Sequence, residues 1–305
     1  MNDNSAPAYI RTYQSGKLAE KIRQAYEILE DCTLCPRQCH VNRMAGETGV
    51  CRTGKQMIAA SCHPHFGEES PLVGQSGSGT IFITYCSLMC CFCQNYDISH
   101  EGWGRAVTDG QTAEMMLSLQ ARGCHNINFV TPTHVVPQIL SALEKAIERG
   151  LKIPLVYNSG GYERVESLRL LQGIFDIYMP DLKFMDSQVA KRACDAPDYP
   201  ETVKTALKEM HRQVGDLVIN DQGLAVRGLL VRHLVLPDDI ADTRKAMRFI
   251  AREISPDTYV NIMSQYRPMG RAADLSELLR PLLPEEYHAA VAAAKKEGIS
   301  RLDRP

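Results

Sequence analysis

From residue 80 onward the chain alternates short apolar runs with longer stretches whose apolar residues recur at helical spacing. The runs are residues 80–86 (TIFITYC), 127–131 (INFVT), 153–158 (IPLVYN), 175–181 (FDIYMPD), 229–237 (LLVRHLVLP) and 259–266 (YVNIMSQY). Their length and β-branched content predict strands. Between them lie TAEMMLSLQARG, VVPQILSALEKAIERG, ERVESLRLLQG, the TVKTALKEMHRQVG region and DTRKAMRFIAREI. Several of these end in glycine, a frequent helix stop. Such alternation predicts an α/β fold of six units, with parallel strands joined by right-handed crossovers. Six units fall two short of a closed eight-stranded barrel, and periodicity alone does not separate an open barrel from a doubly wound sheet.

The chain before residue 80 follows neither period for long. Residues 17–30 predict one amphipathic helix, with Leu18, Ile22, Ala25, Ile28 and Leu29 at helical spacing. Residues 31–54 are cysteine-rich and aperiodic, and residues 63–79 are expected to be loop. At the other end, SELLRPLLPEEYHAAVAAAKKEGIS predicts closing helices, the last starting at Pro284. The expected division is an extension over 1–75 and a barrel over 76–305.

Composition narrows the function classes. Thirty-four Lys and Arg against 36 Asp and Glu give a net charge of −2, which offers no electrostatic case for nucleic acid or an anionic membrane. No apolar run approaches a membrane span, since even GLLVRHLVLP carries Arg232 and His233. The first 20 residues lack the apolar core of a signal peptide. The 11 cysteines cluster at 32–51 and 86–93, with only Cys62, Cys124 and Cys194 elsewhere. Local clustering suits metal binding better than a disulfide framework, so the expected compartment is the reducing cytoplasm.

Cys86, Cys90 and Cys93 form a Cys-x3-Cys-x2-Cys run, with Phe92 just before the last cysteine. Three thiolates on a cubane iron–sulfur cluster leave one iron without a protein ligand. Buried small hydrophobes, a redox pair or a zinc site using Cys91 as a fourth thiolate are the alternatives. Adjacent Cys90 and Cys91 point in different directions, and tetrahedral zinc sites usually draw on two separated Cys-x2-Cys hairpins. GQSGSGT (74–80) lacks the Gly-Lys-Ser/Thr ending of a phosphate loop and precedes its strand, so it reads as a turn.

The stretch CSLMCCFCQNYDIS resembles the radical S-adenosylmethionine (SAM) superfamily, and within it the glycyl-radical activating enzymes such as pyruvate formate-lyase activating enzyme. The resemblance implies a partial (β/α)6 TIM-type barrel, with a [4Fe–4S] cluster on Cys86, Cys90 and Cys93 directly after the first strand. It further implies SAM chelated at the open iron, its reductive cleavage to a 5′-deoxyadenosyl radical, and a flavodoxin- or ferredoxin-type electron donor. Phe92 is expected near the adenine, and Gln94 and Asn95 occupy the place of the polar pair that follows the third cysteine in activases. Asn158 and Ser159 lie at the end of the third strand. Asp181 and Lys183 match an Asp-Leu-Lys element, Lys183 to neutralise the methionine carboxylate and Asp181 to accept ribose hydroxyls. The usual Gly-Gly-Glu after the second strand is replaced by Val130-Thr131-Pro132-Thr133-His134, so Thr131, Thr133 or backbone carbonyls must receive the methionine amino group. Because barrel chemistry gathers at the carboxyl ends of strands, His233 and Gln265 complete the candidate set.

Cys32, Cys35, Cys39 and Cys51 supply four thiols within 20 residues, enough to close a second metal site. They resemble an amino-terminal cysteine motif of uncharacterised activase relatives. An auxiliary [4Fe–4S] cluster and zinc both remain open. His40 could replace a thiolate, although an exposed loop histidine is commoner. The leading expectation is hydrogen-atom abstraction from a protein or peptide partner, with glycyl-radical activation as one form. Its rivals are radical modification of a peptide or small molecule, and a non-catalytic iron–sulfur electron carrier.

Overall fold

The computed structural model describes residues 6–303. Its strands are β1 (Met57–His65), β2 (Ser78–Ile83), β3 (Arg105–Val107), β4 (Ile127–Val130), β5 (Leu155–Ser159), β6 (Ile177–Pro180), β7 (Val218–Ile219), β8 (Ala225–Leu234) and β9 (Tyr259–Met263). Its helices are α1 (Ala8–Gln14), α2 (Lys17–Glu27), α3 (Ser70–Val73), α4 (Tyr96–Ser99), α5 (Asp109–Ala121), α6 (Val136–Glu148), α7 (Val165–Leu170), α8 (Ser187–Cys194), α9 (Tyr199–Val214), α10 (Thr243–Phe249) and α11 (Pro284–Lys296).

The six expected strands are β2, β4, β5, β6, β8 and β9, and each neighbouring pair among them is parallel. Helices α5, α6, α7, α9 and α10 fall in the crossovers between them. This is a partial TIM-type barrel, with β1 and β9 unpaired with each other. The fold follows from side-chain parity. On β5, Val156 packs inward with Ile177, Met179 and Leu230, whereas Tyr157 meets Phe175 outside. Helix α6 buries Ile139, Leu140, Leu143 and Ala146 on one stripe. Thr108 starts α5 with a reciprocal capping box to Gln111.

Two segments differ from expectation. Residues 57–65 form an antiparallel strand beside β2, and 70–73 form a short helix, where 63–79 were expected to be loop. Short β3 and β7 extend the two sides of the sheet. Among the described residues, no helix is long and apolar enough to cross a membrane.

Candidate functional site

Strands β2, β4, β5, β6, β8 and β9 deliver their carboxyl ends to one cavity of about 380 Å³. Cys86, Cys90, Cys93, Phe92, Gln94, Asn95, Thr131, Asn158, Ser159, Asp181, Lys183 and Gln265 all line it. Two candidates do not. Thr133 is buried beside the barrel and donates its hydroxyl to Glu163 Oε1 at 2.5 Å. His233 is fully buried, with Nδ1 2.7 Å from the Leu182 carbonyl and Nε2 3.0 Å from Thr243 Oγ1. Both of its ring nitrogens are therefore occupied on the helix side of β8.

The cysteine loop is held in an unusual backbone. Tyr85 and Met89, each directly before a cysteine, adopt φ of 70° and 58°, and Thr131 adopts 63°. A β-branched residue at positive φ is strained, and such strain clusters at functional sites. The Leu88 N–H points at Cys86 Sγ at 3.3 Å. Burial pushes the Cys86 thiol up to about 12, and the neighbouring Cys90 adds to it. Cys90 moves the other way: the Cys194 thiol 3.3 Å from it, and then Lys183, stabilise its thiolate against the cost of burial. Phe92 stands edge-on to Phe184 and Tyr266, at 5.9 and 6.1 Å between ring centres. Gln94 donates to the Gln265 carbonyl at 2.9 Å, which joins the loop to the end of β9.

Opposite the loop lies an ion network that the sequence reading caught only in part. Asp181 receives Lys183 Nζ at 2.6 Å on one oxygen and Arg232 Nε at 2.7 Å on the other. Arg232 also donates to Asn158 Oδ1 at 2.7 Å. Burial would raise the Asp181 carboxyl, but Arg232 and Lys183 outweigh it and hold it below the usual range. The Tyr199 hydroxyl ties the strand ends together, donating toward the carbonyls of Gly160 and Asp181 and accepting from the Lys183 N–H. Gly161, at φ 74°, has no room for a Cβ, which would stand 2.3 Å from the Asp181 carbonyl oxygen.

The four amino-terminal cysteines are neighbours. Burial pushes the Cys35 thiol up to about 12, with Cys51, Cys32 and Cys39 adding to the shift. Gln38, His40 and Arg52, which flank Cys39 and follow Cys51, are left-handed at φ 39°, 53° and 52°. A Cβ at Gly49 would stand 2.5 Å from Cys39 Sγ. Among the described residues, however, no three His, Cys, Asp or Glu side chains gather closely enough to hold a single metal ion. His40 is exposed and pairs with Asp31 at 3.0 Å.

Arg37, between Cys35 and Cys39, ties this segment to the cavity. It donates to the carbonyls of Ser87 (3.0 Å), Leu88 (3.1 Å), Cys194 (2.6 Å) and Asp195. Its guanidinium also lies over the Tyr162 ring at 5.4 Å. Arg37→Ala leaves these carbonyls without their donor, at about 1–3 kcal/mol each where they are buried. The expected outcome is a lower unfolding midpoint together with fewer irons retained per chain after anaerobic reconstitution. Wild-type iron content in the variant would show that the clamp does not position the loop.

A family model described as the radical SAM superfamily matches residues 80–228. The chain is also 32% identical over 288 residues to the uncharacterized protein MJ0674 of Methanocaldococcus jannaschii, spanning 92% of this chain and 78% of that one.

Proposed function

The chain belongs to the radical SAM superfamily, and we propose that its cysteine-lined cavity binds SAM for hydrogen-atom abstraction from a protein or peptide partner. SAM-dependent radical chemistry, with a [4Fe–4S] cluster, follows from membership. The observation that carries the site assignment is the convergence of all three cysteines and the Asp181–Lys183 pair on one cavity. Their donor chemistry fits the group, since three thiols on one loop suit a cubane with one iron left for another ligand. When bound, such a cluster anchors the methionine part of SAM and supplies the electron that splits its C5′–S bond.

The residues of the chain then bind and orient. Lys183 has three donors and spends one on Asp181, leaving two for the methionine carboxylate. Asp181 still has lone pairs for ribose hydroxyls, although both of its oxygens already accept one bond. Asn158 offers its amide N–H2, because its oxygen is taken by Arg232. Phe92 presents an apolar face for the adenine, with Gln94, Asn95, Ser159 and Gln265 around it. With Thr133 turned to Glu163, Thr131 and nearby carbonyls remain to receive the methionine amino group. Cys32, Cys35, Cys39 and Cys51 are assigned a second metal group, an auxiliary [4Fe–4S] cluster or zinc, which would have to draw the thiols closer together than they stand here. Their mutual proximity and left-handed neighbours support that assignment.

A partner-derived substrate is favoured by the one-sided opening of the barrel, where β1 and β9 do not pair with each other. Glycyl-radical activation is the form in which a backbone enters that opening. A flavodoxin- or ferredoxin-type donor would supply the electron. The test is anaerobic reconstitution followed by dithionite and SAM, with 5′-deoxyadenosine measured. A fully loaded protein that forms none would remove the reading.

A further inference from the structure

The cavity has a floor as well as a cysteine-lined roof. Strand β1 runs antiparallel to β2, so the loop after β1 lies at the far end of the barrel from the cysteine loop. Leu72 of α3 packs there against Val156, Ile177, Met179 and Leu230 and plugs the interior. Just before it, the Glu68 and Glu69 side chains point inward, 7% and 3% exposed.

These two carboxylates are poorly matched by the protein. Arg232 already serves Asp181 and Asn158, and it reaches Glu68 Oε2 only at 3.7 Å and Glu69 Oε1 at 4.0 Å. Asn261 donates to Glu69 Oε1 at 2.9 Å, but Glu69 Oε2 has no partner. A third group borders Glu68. Asn128 on β4 is fully buried and near enough to Glu68 to favour its carboxylate, yet neither its amide nitrogen nor its oxygen has a partner within hydrogen-bond distance. It lies two residues before Val130, which lines the cavity, so strand alternation puts both on the interior face. Buried carboxylates and amides without partners are costly, which points to a ligand that completes them. Burial, opposed by Arg232 and more weakly by Asn128, pushes the Glu68 carboxyl up to about 7, with Glu69 and Asp181 adding to the shift.

Charge sets the class of that ligand. The three carboxylates Glu68, Glu69 and Asp181 outnumber the two cations they pair with, Arg232 and Lys183, so the floor favours a positively charged ligand, which would also keep Glu68 ionised. No three carboxylate, histidine or cysteine side chains among the described residues close on one point as a single metal ion requires. An ammonium group brings one positive charge and three donors, which match Glu68, Glu69 and the Asn128 oxygen. We propose that Glu68, Glu69 and Asn128 form a subsite for a primary ammonium group of the substrate. The proposal rests on the reading of the cavity as a SAM site and adds the chemistry of the second ligand.

The test uses the reconstituted protein with SAM and measures the dissociation constants of n-butylamine, Nα-acetyl-lysine amide and n-butanol by calorimetry. Both amines are expected to bind at least about tenfold tighter than the alcohol, the span of one charge-assisted hydrogen bond. Tight binding of n-butylamine alone would identify a small amine, and preference for the lysine amide a peptide side chain. Glu68→Gln/Glu69→Gln should erase the amine preference. Glu68→Gln alone, which keeps the Glu69–Asn261 bond, should reduce it and serves where the double variant does not fold. Equal binding of amine and alcohol overturns the subsite. So does a loss of SAM affinity in the variants as large as the loss of amine affinity, because the floor would then hold the amino group of SAM itself. A protein that cleaves SAM but ignores amines loses only the subsite. One that binds amines but forms no 5′-deoxyadenosine loses the reading of the cavity.

Discussion

Cys86→Ala is expected to reduce 5′-deoxyadenosine formation by about a thousandfold or more, the scale on which removing one member of an interdependent catalytic unit acts. The fold should survive, because Cys86 is only partly buried and sits in a loop between β2 and α4. Iron content, the absorbance of the reconstituted cluster and SAM cleavage should fall together, while the circular dichroism spectrum stays unchanged. Cys90→Ala should also abolish turnover. It is the less clean experiment, because Cys194 Sγ lies 3.3 Å from Cys90 Sγ and can offer a replacement sulfur. Cys90→Ala/Cys194→Ala removes that escape. Undiminished cleavage in Cys86→Ala would refute the assignment of the loop.

Asp181→Asn should produce the largest loss of stability. The substitution keeps the shape but leaves Lys183 and Arg232 as buried cations without their shared counter-ion. Removing one partner of a buried pair costs about 3–5 kcal/mol, read as a lower midpoint in urea at pH 7. The pH dependence has a definite sign. Asp181 is held below its unfolded value, so its contribution is complete above about pH 4 and is lost as pH falls through the folded value. The acid limb of the wild-type stability curve should therefore flatten in the variant. An unchanged midpoint at pH 7 would show that the two cations are solvated and the network is not structural. SAM affinity should fall in parallel, since Asp181 also holds Lys183 in place.

How far these features can be read from the chain depends on the kind of signal each one leaves. The six parallel strands were legible because strands buried on both faces form continuous apolar runs. β1 was not, because MIAASCHPH is half-exposed along most of its length and interrupted by Pro64. β3 and β7, of three and two residues, are too short for any period to show. Local spacing made both cysteine sets visible. Parity explains the error on β8: His233 was singled out, yet its neighbour Arg232 occupies the interior face. Successive side chains on a strand point to opposite sides, and an apolar run does not announce which side is the core. Glu68 and Glu69 lie in an aperiodic loop, where only three-dimensional proximity to Arg232 gives them meaning. Thr133 sits in a turn whose direction no pattern specified, and it was captured by Glu163.

The Arg37 clamp bears on how the molecule could be dissected. A fragment starting at residue 76 would keep all six parallel strands, yet it would lack the guanidinium that fastens Ser87, Leu88, Cys194 and Asp195. It would also lose the strand that covers the flank of β2. The leading segment thus fastens the cysteine loop, and grafting this barrel onto another protein would require the first 75 residues to travel with it.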